Sequence, residues 1–397
     1  MQKNTPQQTL KSVFGFDTFR EGQAQVIETL LAGRSALAVF PTGSGKSLCY
    51  QLPALYFSGL TLVVSPLIAL MKDQVEFLQS RNINAARLDS SLSWDETRQV
   101  YDDLRNKQQQ ILFIAPERLS NERFLQTLHG QSIDLMVIDE AHCISEWGHN
   151  FRPEYLKLAE MATELEAQRV LALTATATPK VTDDICREFN IQPNAYTHTG
   201  FYRPNLTLYF SVYPNPKEKQ AQLLKRIQQA EPGPTIVYVT LQKTAETIAH
   251  FLSSNGFESQ AYHAGMKSED RNAVQDWFMA ANQAIVVATI AFGMGIDKAD
   301  IRYVYHYNLP KTLENYSQEI GRAGRDGAPS NCEVFASGDD ITILENFVYG
   351  DTPEPAGLNQ FLDLILQHEG DFDIGVYELS NQCDIRPLVV RTVLAYL

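Results

Sequence analysis

The sequence predicts an α/β chain: two tandem domains built on parallel sheets, followed by a short helical segment. Three observations carry that prediction. Short apolar runs alternate with longer amphipathic stretches in two successive series, a glycine-rich loop follows the first run, and a proline-marked break sets off roughly the last 45 residues. In the first series the candidate strands are 36–40, 61–65, 111–115, 134–138 and 170–174, with helical spacing over 67–79 and 179–189. A polar passage from Tyr202-Arg203-Pro204-Asn205 to Tyr213-Pro214-Asn215-Pro216 reads as the join between domains. The second series then has candidate strands at 235–239, 259–262, 285–289, 302–306 and 333–336. Residues 1–206, 207–345 and 346–397 are the expected divisions, the last an acidic helical segment with the character of a cut-off winged-helix start.

At 397 residues the chain is too long for one ordinary core, and 44 % hydrophobic with 20 % charged residues excludes disordered and collagen-like classes. No run of about 20 apolar residues is present to span a bilayer, and the N-terminus lacks an apolar secretion core. The expectation is an intracellular protein without membrane contact, in the cytoplasm and nucleoid of a bacterium or the nucleus of a eukaryote. Five scattered cysteines with no Cys-x-x-Cys pair argue against a disulfide framework and give no basis for a zinc site. The net charge of −14 at pH 7 is unevenly spread: between Asp326 and Ile385 there are thirteen acids and no Lys or Arg, so the other 337 residues carry only −1. A basic cleft on the body of the protein is compatible with that distribution.

Phe40-Pro41-Thr42-Gly43-Ser44-Gly45-Lys46-Ser47 follows a predicted strand and precedes a helical pattern. In a phosphate-binding loop, glycines let backbone N–H groups turn toward phosphates, a lysine meets the β- and γ-phosphates and a hydroxyl ligates Mg²⁺. Lys46 and Ser47 take those parts here, with Thr42, Gly43, Ser44 and Gly45 forming the cradle. The common pattern has glycine where this chain has Phe40, and Gly43 supplies an alternative flexible point. Leu135-Met136-Val137-Ile138-Asp139-Glu140-Ala141-His142 places two carboxylates at the end of an apolar strand. Asp139 suits a Mg²⁺ ligand and Glu140 a water-activating base, as phosphoryl transfer requires.

These motifs, with Thr174-Ala175-Thr176 and Gln318-Glu319-Ile320-Gly321-Arg322-Ala323-Gly324-Arg325, occur in the order seen in superfamily 2 helicases. Two finer features resemble the RecQ DNA helicases: Phe14-Gly15-Phe16-Asp17-Thr18-Phe19-Arg20-Glu21-Gly22-Gln23 near the start, and His142-Cys143-Ile144-Ser145-Glu146-Trp147-Gly148-His149-Asn150-Phe151-Arg152-Pro153-Glu154-Tyr155 after the acidic pair. The resemblance runs from about Phe14 to Asp340 and implies two RecA-like P-loop domains. It implies that Phe16 stacks on adenine, Gln23 bonds its edge and Arg20 assists. Read alone, Phe14, Phe16 and Phe19 suit a core better than a ligand site, and only the order of the motifs reverses that.

The resemblance further implies that Trp147, His149, Phe151 and Arg152 belong to an aromatic loop coupling single-stranded DNA to the ATP site, although Trp147 also fits a loop anchored on the core. Arg118, His263 and Thr289 become DNA-backbone contacts, as does the Ser65-Pro66-Leu67 turn. Asp297 reaches the ribose or the arginine finger. Arg325 is the expected finger, Arg322 sits near the γ-phosphate, and Gln318 couples hydrolysis to DNA. Relatives of this kind usually carry a four-cysteine zinc module after the arginine motif, whereas only Cys332 and Cys383 lie there in this chain, so no structural zinc is expected.

The expected activity is an ATP-dependent 3′-to-5′ DNA helicase using ATP and Mg²⁺, acting as a monomer on single-stranded and forked or partial duplex DNA, in repair or recombination. An RNA-directed ATPase and an ATP-gated nucleic-acid scaffold with little unwinding are the alternatives. Protein partners are not legible.

Overall fold

The computed structural model describes residues 4–89, 91–145, 152–293, 296, 298–367 and 374–396. The first sheet contains β1 (Ala36–Val39), β2 (Leu60–Val64), β3 (Ala85–Leu88), β4 (Ile111–Ile114), β5 (Ile133–Ile138), β6 (Val170–Thr174) and β7 (Tyr196–His198), in the order β3-β4-β2-β5-β6-β1-β7. The second contains β8 (Leu206–Val212), β9 (Thr235–Tyr238), β10 (Ser259–Tyr262), β11 (Ile285–Ala288), β12 (Tyr303–His306) and β13 (Ser330–Ala336), in the order β10-β11-β9-β12-β13-β8. All of these strand pairings are parallel.

The central strands are uninterrupted apolar runs because helices cover both faces of each sheet. Successive residues of one strand enter opposite cores: Leu62 and Val64 join one cluster with Leu112, Ile114, Met136 and Ile138, while Val63 joins the other with Phe113, Leu135 and Val137. With every strand parallel, the carboxyl ends lie along one edge of each sheet, where such folds bind ligands. The loop 40–47 leaves the end of β1 and the Asp139–Glu140 pair leaves the end of β5, with β6 between them.

Most expected strands are present within a residue or two, and the exceptions have physical causes. The passage read as a join supplies β8, an edge strand whose Leu208, Tyr209, Phe210 and Val212 are all exposed, so flanking prolines and weak patterning disguise it. β3 carries a charged Arg87, and β7 is three residues long. The division expected at 345/346 falls inside the helix Gly338–Asp351, because the proline-marked break comes only after it. Beyond lie the helices Pro355–Leu366, Val376–Cys383 and Pro387–Tyr396, which close on a small core of Phe361, Leu379, Cys383, Ile385 and Val390. The last of them packs against the short helix Pro153–Leu156 of the first lobe.

A buried ion pair ties the entry of the second lobe to its exit. Lys219, on the helix Pro216–Gln229, donates to both carboxylate oxygens of Asp340 at 3.0 Å and to Ser337 Oγ at 3.0 Å. Asn308 Nδ2 donates to Asp340 Oδ1 at 2.7 Å. Removing one member of such a pair strands the other charge. Lys219→Met is therefore expected to cost about 3 kcal/mol in urea unfolding, and adding Asp340→Leu to recover much of that loss. Equal stability of Lys219→Met and the parent protein would contradict the account.

Candidate active site

Residues 41–47 turn sharply between β1 and the helix Leu48–Ala54. Gly43 (φ +81°) and Gly45 (φ +79°) hold the left-handed backbone that L side chains resist. Side chains would also crowd their neighbours there: a Cβ on Gly45 would lie 2.8 Å from Gln23 Nε2, and one on Gly43 3.1 Å from Arg325 Cγ. Lys46 Nζ donates to Phe40 O at 3.2 Å, and Ser44 Oγ to Pro41 O at 2.7 Å.

Gln23 is buried and its amide is committed to this loop: Nε2 donates to Gly45 O at 2.9 Å and Ser44 O at 3.2 Å, while Oε1 accepts from Arg20 N at 2.8 Å. The Arg20 guanidinium donates to Gly43 O. Both residues assigned to adenine thus brace the phosphate loop in this conformation, and Phe16 stands 49 % exposed nearby in sequence.

The carboxylates at the end of β5 sit opposite. Asp139 accepts from Ser65 Oγ through Oδ2 and from Glu140 N through Oδ1, both at 3.0 Å. Burial and then the neighbouring Glu140 push the Asp139 carboxyl up to about 6, against the pull of Lys46. The Lys46 ammonium is lowered, first by burial, with Arg325 adding to the effect. Glu140 holds the left-handed backbone (φ 51°, ψ 43°), uncommon for a residue with a long side chain. His142 Nδ1 lies 3.3 Å from Glu140 Oε2 and 2.9 Å from Thr174 Oγ1. Burial drives the imidazole down to about 3, helped by Lys46 and Arg152, so His142 stays neutral.

From the second lobe, the helix Leu313–Ile320 and the turn after it deliver Gln318, Arg322 and Arg325 to the same cleft. The Arg322 guanidinium donates to Gly293 O, and Arg325 Nη1 donates to Ile296 O at 3.1 Å. The cleft holds about 400 Å³ and is lined from one side by Thr42, Gly43, Gly45, Lys46, Ser47, Asp139 and Glu140, and from the other by Gln318, Arg322 and Arg325. The donor set fits a divalent cation: Ser47 and Asp139 offer hard oxygen ligands on one wall, beside a second carboxylate, Glu140.

The expected DNA contacts are not gathered so clearly. Arg118 is half-buried and donates to Asp89 O at 3.1 Å, and the backbone N of Arg152 donates to Cys143 O at 3.0 Å. His263 is 6 % exposed with Nε2 3.2 Å from Glu246, and Thr289 is 8 % exposed. Trp147, His149, Phe151 and Asp297 lie outside the described residues. Ser65 does not face outward as a phosphate contact; it is buried and spends its hydroxyl on Asp139. Cys332 and Cys383 are buried in separate apolar cores, and among the described residues no group of three or more His, Cys, Asp or Glu is placed to hold a metal ion.

Sequence reasoning gave His142 no individual task and left Tyr155 as part of a motif, whereas the hydroxyls of Thr174-Ala175-Thr176 suit bonds to the catalytic loop, and Thr174 meets His142 there. Their contacts join residues up to 32 positions apart through the adjacency of β5 and β6, which no local spacing announces. Because Asp139 and Glu140 repel one another in an enclosed site, Asp139→Asn should stabilise the ligand-free protein by about 1–2 kcal/mol in neutral, chelator-containing buffer. A fall in the thermal midpoint of that variant would contradict the charge balance described.

A DEAD/DEAH box helicase model matches residues 20–185, and a helicase conserved C-terminal domain model matches residues 218–327. The ATP-dependent DNA helicase RecQ of Haemophilus influenzae is 43 % identical over 350 residues, which cover 88 % of this chain and 56 % of that protein. The probable ATP-dependent DNA helicase RecS of Bacillus subtilis is 41 % identical over 344 residues, covering 86 % of this chain and 69 % of that one. The S. cerevisiae Dbp5 structure, bound to RNA and ADP BeF3, shares the fold with a TM-score of 0.65 at 18 % identity, over 87 % of this chain and 91 % of that one. The chain spans a little over half the length of its H. influenzae relative. Two RecA-like lobes, both helicase domain matches and identity above 40 % across most of the sequence place this chain in the RecQ family of superfamily 2 helicases.

Proposed function

We propose that this chain is an ATP-dependent DNA helicase of 3′-to-5′ polarity that couples ATP hydrolysis to translocation on single-stranded DNA and to unwinding of forked or partial duplexes, in repair or recombination. The observation that carries the reading is the two-sided cleft, in which Lys46, Asp139 and Glu140 of one lobe face Arg322 and Arg325 of the other. Family membership supports DNA as the substrate and is the basis for the polarity. One chain supplies both walls of the cleft, so a monomer suffices for turnover.

Lys46 and the backbone of residues 42–47 bind the phosphates of ATP. Ser47 and Asp139 would hold Mg²⁺, which when bound neutralises charge on the phosphates undergoing transfer. Glu140 orients a water in line with the γ-phosphorus and takes its proton as the new P–O bond forms. The bond to the β–γ bridging oxygen breaks and ADP departs. Neutral His142, held by Thr174, lies 3.3 Å from Glu140 Oε2 and does not compete for the proton. Arg325 and Arg322 stabilise charge on the γ-phosphate oxygens and exclude water from the cleft.

Since the arginines and the phosphate loop ride on different lobes, the nucleotide draws the lobes together and its hydrolysis lets them part. DNA gripped in turn by each lobe is moved stepwise. A base-pair step averages about 1.4 kcal/mol, roughly a tenfold equilibrium factor, so fraying at a fork is frequent enough for a short-step motor to capture.

Arg325→Ala is expected to lower kcat for ATP by about 10³ while nucleotide affinity changes little. Lys46→Ala should abolish both turnover and forked-duplex unwinding. Stimulation of ATPase by single-stranded DNA supports the reading; stimulation by RNA alone would overturn it in favour of an RNA-directed ATPase, and unwinding that survives Lys46→Ala would favour an ATP-gated scaffold.

A further inference from the structure

We propose that Tyr155 is a positioning residue for Glu140: its hydroxyl pins the peptide joining Asp139 to Glu140 and so fixes where the water-activating carboxylate points. The proposal rests on the role given to Glu140 above. Tyr155 does not itself line the cleft, and its hydroxyl reaches the site through that peptide.

The peptide is held at both ends. Tyr155 OH donates to its carbonyl, Asp139 O, at 2.9 Å, and its N–H, on Glu140, donates to Asp139 Oδ1 at 3.0 Å. This matters because Glu140 stands in the left-handed region, where a side chain with a Cβ is strained and a flip of the preceding peptide would release it. A flip would swing the carbonyl away from Tyr155 and the Glu140 N–H away from Asp139 Oδ1, so that neither carboxylate of the pair keeps the backbone bond that orients it. Tyr155 is itself rigidly placed: fully buried, on the helix Pro153–Leu156, with Arg152 N bonded to Cys143 O at 3.0 Å just before it. That helix packs against the turn Ala141–Ile144, directly after the acidic pair. Burial also holds the phenol far above its usual pKa, so the hydroxyl remains a donor.

Tyr155→Phe keeps the ring and removes only the pin. Its effect is measured as DNA-stimulated kcat and KM for ATP, with single-turnover rates in a cycle with Glu140→Gln. The expected result is a fall in kcat of about tenfold with KM and DNA affinity unchanged, and no further fall when Tyr155→Phe is added to Glu140→Gln. Unchanged kcat, or the same fall in both backgrounds, would overturn the proposal, the second by showing that the hydroxyl acts on packing rather than through Glu140. The cycle decides even if Tyr155→Phe lowers the thermal midpoint. Full turnover by Glu140→Gln alone would overturn the role of Glu140 and with it that of Tyr155, whereas wild-type ATPase that no nucleic acid stimulates would count against the helicase reading and leave this cycle readable on basal turnover.

Discussion

Two adjoining carboxylates at the end of one buried strand are the constraint around which the site is arranged. Burial, and after it the neighbouring Glu140, makes ionisation of Asp139 costly in an enclosed cleft and raises its carboxyl. Lys46 lies close enough to be felt by both, yet burial lowers its own affinity for a proton. The cleft thus sets carboxylates and cations side by side, a mixed lining that suits a polyphosphate carrying a divalent cation. The strained Glu140 backbone belongs to the same arrangement: turning the chain sharply after β5 keeps both carboxylates near Lys46 and sets Glu140 beside His142.

The parallel sheet makes this possible. Because β1 and β5 run in the same direction with β6 between them, the phosphate loop and the acidic pair reach the same edge without any local sequence contact between them. The second sheet repeats the arrangement, and its helix Leu313–Ile320 brings Gln318 and the two arginines to the opposite wall. Each lobe has its own cores, so the lobes can separate without exposing them. Under the proposed function, catalysis therefore depends on lobe position, which is what a motor needs.

Much of this was legible in the sequence because the chemistry is written in contiguous motifs. The phosphate loop, the acidic pair and the arginine turn each occupy a few consecutive residues, and each sits at a strand or helix end where an apolar run stops. What was not legible arises from contacts across the fold. Nothing near Ser65 says that its hydroxyl will meet Asp139 74 residues later rather than DNA. Gln23 and Arg20, singled out for adenine, also brace loop carbonyls, a contact that only the folded approach of residues 20–23 to 43–45 creates. β8 escaped notice for the opposite reason: an exposed edge strand has no buried face to impose a pattern.

The central claim is that the two lobes share one nucleotide. A crystal structure of the chain with Mg²⁺, a non-hydrolysable ATP analogue and single-stranded DNA tests it most directly. The account predicts the Arg325 guanidinium within hydrogen-bonding distance of the γ-phosphate while Lys46 holds the same group from the other side. A γ-phosphate contacted by Lys46 alone, with Arg325 turned away across an open cleft, would contradict it.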